Sequence, residues 1–95
     1  MPVSVIISFQ VKPEMLNAFM EIMGSVKRDL PTVNGCKSVA IYRNSAEEHA
    51  FTLVEQWESE ALHKKHIAGV VNSGGWEHIA SHLQCEPVSA YFSQF

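Results

Sequence analysis

Residues 3–30, VSVIISFQV-KPE-MLNAFMEIMGSVKRDL, contain a change in the spacing of the apolar side chains. In residues 3–11 apolar side chains occupy every second position, which predicts a β-strand with one buried face. Lys12-Pro13-Glu14 ends that strand and begins a helix. The helix then carries apolar side chains at helical spacing, at Leu16, Phe19, Met23, Val26 and Leu30. The chain therefore opens with a strand followed directly by a helix.

The remaining sequence predicts two more strands, a second helical region and a last strand. Pro31 ends the first helix, and Asn34-Gly35 supplies a turn before a strand over residues 36–43. A polar link separates this strand from another over residues 51–58, which indicates a hairpin. Ser59 is the predicted N-cap of the helical region that follows. Gly69 and the Ser73-Gly74-Gly75 segment break or bend that region, and the last strand follows Pro87.

The predicted order β-α-β-β-α-β is typical of an α+β fold of the ferredoxin-like type, with a four-stranded antiparallel sheet. A chain of 95 residues corresponds to one domain, residues 1–95. Both helices are expected to cover one face of the sheet. The other face needs a different cover, and a second copy of the chain is the simplest one. The sequence therefore predicts a homodimer.

Composition argues against several classes of partner. The net charge is -3 and the basic residues are scattered, which disfavours nucleic acid because phosphate binding needs clustered Lys and Arg. The apolar stretches are too short to span a membrane, and the N-terminus shows no signal-peptide pattern. Cys36 and Cys85 do not form a close metal-binding pair. A cytoplasmic protein with free thiols is therefore expected.

Residues 51–66, FTLVEQWESEALHKKH, resemble the characteristic segment of the antibiotic biosynthesis monooxygenase family. That segment has an aromatic strand, then Glu, one residue and Trp, and then a helix with Leu and, four residues on, His. Here these positions are Glu55, Trp57, Leu62 and His66. The opening strand and the stretch from Pro31 to Cys36 also match the family's layout.

This resemblance implies a dimeric α/β barrel and, for some members, oxidation of quinols or polycyclic phenols by O₂ with no metal or flavin cofactor. Other members catalyse isomerisations, degrade haem or have no assigned activity. The haem-degrading branch uses an Asn on the first strand, and residues 3–11 contain none. Residues 70–76, VVNSGGW, are also longer and richer in glycine than the family's usual segment after the helix His.

Glu55 and His66 are the candidate catalytic residues. Glu55 shares a strand face with Phe51, Leu53 and Trp57, and a carboxylate on an apolar face needs a partner or its pKa rises. If the hairpin pairs Arg43 with Phe51, Lys37 lies diagonal to Glu55 and is one such partner. Either an ion pair of this kind or a general base accounts for Glu55. His66, four residues after Leu62, faces inward and is either a core histidine or a group that deprotonates a substrate hydroxyl.

The candidate substrate-binding residues are mostly aromatic. Trp57, Trp76, Phe9 and Phe92 are expected to form a hydrophobic wall against a flat ligand, in a pocket between the sheet and the helices. Residues 69–75 are expected at its mouth, where Asn72 is a candidate hydrogen-bond donor to a carbonyl. Each aromatic residue has an alternative role as ordinary core. Tyr42 and Tyr91 are weaker candidates, because the strand pattern places them opposite the core.

The histidines do not predict a metal site. His78 and His82 have ligand spacing on a helix, but the buried stripe of Trp76, Ile79 and Leu83 is expected to turn them to solvent. His63 is likewise expected to point away from the side of His66. No native metal is therefore predicted.

Three functions remain open at this point. The first is a cofactor-independent monooxygenase that acts on a small quinol or polycyclic phenol with O₂. The second is a non-oxidative isomerase of a small metabolite, which would use the same acid-base residues. The third is a non-catalytic module that binds a small ligand, with Trp76 filling the pocket.

Overall fold

The computed structural model describes residues 2–95, which form four strands and three α-helices. These are β1 (Val3–Gln10), α1 (Leu16–Asp29), β2 (Cys36–Arg43), β3 (Ala50–Trp57), α2 (Glu60–Asn72), α3 (Gly75–Ala80) and β4 (Val88–Phe92). Single 3₁₀ turns at Pro13–Met15 and Leu30–Thr32 flank α1, and each contains a proline that fixes its backbone.

The strands form one antiparallel sheet in the order β2-β3-β1-β4. This is the predicted ferredoxin-like arrangement, and it is confirmed. The hairpin between β2 and β3 pairs Arg43 with Phe51, as expected. Each strand of the central pair is flanked on both sides, so side chains from β1 and β3 lie at the middle of the sheet.

The helices pack on one face of the sheet, here called the helix face. Alternate residues of β1 and β3 point to it, and Phe19 of α1 is completely buried between Phe9 and Phe51. The ring centroid of Phe19 lies 5.4 and 5.3 Å from those of Phe9 and Phe51. Edge-on and tilted contacts at this spacing are favourable for aromatic rings. This cluster fixes α1 over one end of the sheet.

The helical region after Ser59 divides at Gly74. Ser59 caps α2 as predicted, since its hydroxyl accepts a hydrogen bond from the Leu62 amide at 3.3 Å. The expected break at Gly69 is wrong, because α2 continues through it to Asn72. Gly74, with φ of 83°, lies in the left-handed region that glycine adopts easily, and there the chain turns into α3.

The orientation of β4 differs from the prediction. Ser4 pairs with Phe92 and Val5 pairs with Tyr91, so Tyr91 points to the helix face and Phe92 to the other. Phe92 is 47% exposed. Strand alternation puts neighbouring residues on opposite faces of the sheet, but it does not determine which of the two faces packs against the helices. In this strand both sets of residues include apolar side chains, so the sequence leaves the choice open.

Among the residues that the structure describes, no helix packs on the second face of the sheet, here called the outer face. Its middle row consists of Ala40, Val54, Ile6 and Ala90, one from each strand. Around that row Tyr42, Val88 and Phe92 are exposed. The face is therefore apolar at its centre and open in the single chain.

Candidate functional site

A cavity of about 290 Å³ lies between the helix face and all three α-helices. Its wall is mostly apolar, and the titratable groups that line it are Glu55, His66 and the exposed Asp29 at the end of α1. Phe9 and Trp76 also contribute to the wall. Ligand pockets for small organic molecules usually occupy about 300–1,000 Å³. This cavity is just below the lower limit of that range, and it lies where the sequence places the pocket.

Glu55 is held by Trp57. The two residues are separated by one position on β3, so both side chains point to the helix face. The indole Nε1 of Trp57 donates a hydrogen bond of 2.7 Å to Oε1 of Glu55. Trp57 is completely buried and Glu55 is 3% exposed. A charged group has thus been brought into an apolar region with a neutral donor as its hydrogen-bond partner.

His66 stands between two cavities. It lies on α2 over Trp57, with ring centroids 5.4 Å apart and planes inclined by 34°. It lines the inner cavity and also an adjacent outer cavity of about 440 Å³. The outer cavity includes Asn34, Lys65 and Ser73 and is therefore more polar. His66 is placed to contact a molecule that enters the inner cavity from this side.

His63 and Tyr91 form a second group beside Glu55. Nδ1 of His63 is 2.8 Å from the Tyr91 hydroxyl, and Nε2 is 3.8 Å from Oε1 of Glu55. His63 is buried, and its ring packs edge-on against both Trp57 and Tyr91. The prediction that His63 points away from the side of His66 is therefore wrong. The stripe His63, Ile67, Val70 repeats at helical spacing and is a signal that could have placed His63 inward.

Burial displaces the pKa values of these groups in opposite directions. Desolvation raises the pKa of Glu55, and the hydrogen bond from Trp57 opposes this to a smaller extent. Desolvation lowers the pKa of His66. It also lowers the pKa of His63, with a further contribution from the charge of His66. Glu55 and His63 are buried and His66 is half-buried, and these three groups, all less easily charged than in water, are thus close together.

Two of the predicted contacts of Glu55 and Trp57 are wrong. A β-bulge between Cys36 and Ser38 takes Lys37 out of the ladder, so Val39 is opposite Glu55 and Lys37 is exposed. Trp57 does not line the inner cavity, because it lies beneath the histidines as a buried support.

Two further predicted contact residues lie away from the cavity. Phe92 is on the outer face, with the whole sheet between it and the helices. Asn72 is exposed at the end of α2 and does not line the inner or the outer cavity. Of the expected aromatic wall, Phe9 and Trp76 remain.

The pair His78 and His82 also differs from the prediction in part. His78 is exposed as expected, but His82 is only 4% exposed. Helix α3 ends at Ala80, so the helical period no longer determines where His82 points. Its Nδ1 lies 2.9 Å from the carbonyl oxygen of His78. Within residues 2–95 there is no group of three or more His, Cys, Asp or Glu side chains arranged to hold a metal ion.

In the part of the chain that the structure describes, no helix combines the length and the apolar character that a membrane crossing requires.

Solved structures with the same fold include proteins of several bacteria and an archaeon. A conserved protein of Methanosarcina mazei superposes with a TM-score of 0.87 at 21% identity, over 99% of this chain and 93% of that one. An antibiotic biosynthesis monooxygenase of Bordetella bronchiseptica, described as putative, gives 0.82 at 19% identity, over 99% and 97%. The cofactor-independent oxygenase SnoaB of Streptomyces nogalater gives 0.83 at 10% identity, over 98% and 92%. At these identities the likeness concerns the fold.

The sequence comparisons give a narrower result. No curated protein matches the chain significantly. A sequence model described as antibiotic biosynthesis monooxygenase matches residues 2–69, which is more than half of the chain and includes Glu55, Trp57, His63 and His66. The chain belongs to the antibiotic biosynthesis monooxygenase family.

Proposed function

We propose that this protein is a monooxygenase that oxidises a small quinol or polycyclic phenol with O₂, without a metal or flavin. The observation that carries the proposal is that Glu55 and His66 both line one small apolar cavity. Burial makes each of them hard to charge, so His66 is neutral near pH 7 and Glu55 retains a proton more readily than an exposed carboxyl. A carboxyl group and an imidazole that line the same apolar cavity are suited to accept a proton from a bound hydroxyl group and to return it.

In the proposed reaction, Glu55 or His66 removes the hydroxyl proton of the substrate. The resulting phenolate is electron-rich and passes an electron to O₂, and the two radicals combine to form a carbon–oxygen bond. The protonated base then returns its proton to the distal oxygen, which gives a hydroperoxide. The hydrogen on the carbon that carries this group leaves as a proton, its bonding electrons form the new C=O bond, and the O–O bond breaks. The departing hydroxide combines with that proton and leaves as water. One oxygen atom enters the product and the other becomes water, so a phenol and O₂ give a quinone and H₂O. The base ends in its initial state.

The apolar wall supports this assignment in two ways. It accommodates a flat aromatic ring, with Phe9 and Trp76 as part of the surface that contacts it. It also excludes water, which strengthens the interaction between the phenolate and nearby protonated groups. Trp76 lies in the wall and leaves the cavity open, which favours a ligand site over a protein that fills its own pocket.

We further propose that the functional unit is a homodimer formed through the outer face. The row Ala40, Val54, Ile6 and Ala90 gives this face an apolar centre. A second copy related by a two-fold axis would cover it with the same row, giving a barrel of two sheets with the helices outside. The cavity with Glu55 lies on the opposite face, so each chain would hold a complete site.

The test is oxygen uptake with a chemically reduced naphthoquinol, in the presence of a chelator and without added flavin. Glu55→Gln and His66→Ala are expected to reduce the rate above autoxidation by about 10²–10⁴-fold, the usual contribution of a general base. His78→Ala, at an exposed position on α3, is the matched control and is expected to retain the wild-type rate. Full activity in the Glu55→Gln, His66→Ala double variant would remove the proposed mechanism.

The dependence of turnover on O₂ distinguishes the isomerase alternative from the monooxygenase. It would use the same two bases, and its turnover would continue under strict anaerobiosis. Turnover of a quinol or phenol that stops when O₂ is removed, with product formed in proportion to O₂ consumed, supports the monooxygenase.

A further inference from the structure

Glu55 and Tyr91 occupy one row of the sheet without touching. Both pair with Val5 of β1, Glu55 from the β3 side and Tyr91 from the β4 side. Two strand spacings amount to ~9.5 Å, which is too far for a direct hydrogen bond. His63 projects from α2 above this row, and its two ring nitrogens face the two side chains. The imidazole therefore bridges a gap that the sheet itself leaves open.

The position of the ring proton on His63 follows from what each nitrogen faces. Because burial lowers its pKa, the ring is neutral near pH 7, with one donor and one acceptor nitrogen. Nε2 is completely buried and has no hydrogen-bond partner within residues 2–95, and Oε1 of Glu55 lies 3.8 Å from it. An unprotonated Nε2 would direct its lone pair at a carboxylate oxygen, which is repulsive. An N–H at this position would direct a proton at the same oxygen, which is attractive.

The other nitrogen is consistent with the same tautomer. With the proton on Nε2, Nδ1 is an acceptor, and the Tyr91 hydroxyl at 2.8 Å is a donor. A phenol donates better than it accepts, because its oxygen lone pairs are shared with the ring. Burial, together with the charges of Glu60 and Glu55, raises the pKa of Tyr91, so the hydroxyl keeps its proton. Both contacts thus select one arrangement.

We propose that His63 and Tyr91 are positioning residues for Glu55: the Tyr91 hydroxyl donates a hydrogen bond to Nδ1 of His63, and the Nε2–H of His63 is directed at the Glu55 carboxylate from 3.8 Å, as an electrostatic partner in addition to the hydrogen bond from Trp57. The inference deepens the proposed function and rests on it for the role of Glu55 as a base. This bridge from Tyr91 through His63 to Glu55 lowers the pKa that burial has raised. More of Glu55 is therefore in the ionised form that accepts a proton. Neither residue lines the inner cavity, so neither contacts the substrate there.

Other titratable groups act on the same three side chains. Those packed around them are Cys36 from β2, and Glu60, Lys64 and His66 from α2. Lys64 is the one cation in this set, and its Nζ lies 5.8 Å from the centre of the Tyr91 ring. His63 is the basic group whose nitrogen faces the carboxylate, so a change at Tyr91 is expected to reach Glu55 through it.

Two measurements on the ligand-free protein test this bridge. Nitrogen-15 NMR of the imidazoles identifies the protonated nitrogen of His63, and isotope-edited infrared spectroscopy follows the carboxyl band of Glu55 as the pH is changed. Tyr91→Phe removes only the hydroxyl, and His63→Leu removes the donor. Tyr42→Phe, on the outer face, is the matched control. Circular dichroism and thermal unfolding establish that each variant is folded.

The expected result is an Nε2–H tautomer in the wild type. The midpoint of the Glu55 titration is expected to rise by about half a pH unit in Tyr91→Phe and by about one unit in His63→Leu, in line with the loss of one hydrogen bond or donor. Tyr42→Phe is expected to leave it unchanged. In the pH profile of kcat/KM, Tyr91→Phe would shift the acidic limb by the same amount with KM unchanged.

A bare Nε2 in the wild type, or a Glu55 midpoint that is the same in wild type and Tyr91→Phe, would overturn the proposal. If His63→Leu does not fold, the wild-type tautomer and Tyr91→Phe still decide the question. Because both spectroscopic measurements need no substrate, they separate this inference from the proposed function. A protein with the bridge but no oxygen uptake would retain the positioning network and lose the assigned reaction.

Discussion

The indole of Trp57 and the carboxylate of Glu55 form a hydrogen bond of 2.7 Å between two side chains of the same strand. The spacing of two residues is what makes the contact available, because it places both side chains on one face of the sheet. The ring covers the carboxylate from water while its single N–H offsets part of the cost of burial. The Glu-x-Trp pattern in the sequence is thus a structural unit that introduces one charge beneath the helices.

Replacement of Trp57 by Phe is expected to destabilise the protein by about 1–3 kcal/mol, the usual cost of leaving a buried polar group without its partner. Part of any loss comes from the smaller ring. The contribution of the lost hydrogen bond depends on pH, because loss of the Trp57 donor destabilises an ionised Glu55 more than a protonated one. Urea denaturation at pH 4 and pH 8 is the measurement, and a larger loss at pH 8 is expected. An equal loss at both pH values would assign the whole effect to packing.

Replacement of Glu55 by Gln is expected to stabilise the protein at pH 8 while it lowers the rate of oxygen uptake. The folded-state pKa of Glu55 is raised above its ordinary value of 4.5. The folded chain therefore holds the proton more tightly than the unfolded chain, and stability is lost as the pH rises through the folded-state pKa. Gln is neutral throughout and accepts the same hydrogen bond from Trp57.

The measurement for Glu55→Gln is thermal unfolding at pH 4 and pH 8. The variant and the wild type are expected to have similar midpoints at pH 4, and the variant is expected to melt higher at pH 8. Glu58→Gln, at an exposed position just after β3, serves as the control and is expected to show no such divergence. A Glu55→Gln variant that is less stable than wild type at pH 8 would mean that the carboxylate is stabilising where it lies.

The sequence predicts the inward direction of Glu55 and Phe9 because long alternation in β1 and β3 leaves one choice for each face. It predicts that of His66 because this residue is four positions after Leu62 on a helix. It does not predict the direction of Tyr91 and Phe92. A strand of five residues at the sheet edge, with apolar side chains on both faces, is oriented by its ladder with β1, which is a long-range contact. The bridge through His63 depends on that orientation and so lies beyond sequence patterns. The prediction that Lys37 pairs with Glu55 is wrong for a related reason. The β-bulge that takes Lys37 out of the ladder is not indicated by the residue types around it.

The two glycines Gly35 and Gly24 are expected to respond to alanine in opposite ways. Gly35 has φ of 92°, and a Cβ there would lie 2.7 Å from Cδ1 and 2.9 Å from Cβ of Leu62. Gly35→Ala is therefore expected to cost about 1–3 kcal/mol, from backbone strain and from displacement of α2. Gly24 lies within α1, and a Cβ added there would have no neighbouring atom within 4 Å. Gly24→Ala is expected to stabilise by about 0.5–1 kcal/mol.

Chemical denaturation of the two alanine variants gives both free energies of unfolding. The contact with Leu62 also predicts a partial rescue, since Leu62→Ala should relieve the overlap in a Gly35→Ala background. Alanine at position 62 keeps the Cβ atom at 2.9 Å, so a double variant as unstable as the sum of the two single changes would assign the loss to backbone strain at Gly35 and to that remaining contact.

A charge at the centre of the outer face is expected to separate the proposed dimer. Val54 lies in the middle row between Ala40 and Ile6, where a lysine from each copy would be buried beside its symmetry mate. Burial of unpaired charges in such an interface is strongly unfavourable, so Val54→Lys is expected to be a monomer at micromolar concentration. Asn17→Lys adds the same charge on the exposed side of α1 and is the control.

Light scattering measures the mass of each protein, and circular dichroism tests whether the chain stays folded. A wild-type monomer would refute the dimer directly. A Val54→Lys variant that keeps the dimer would place the interface elsewhere, because position 54 lies on one of the two central strands, in the middle row of the face.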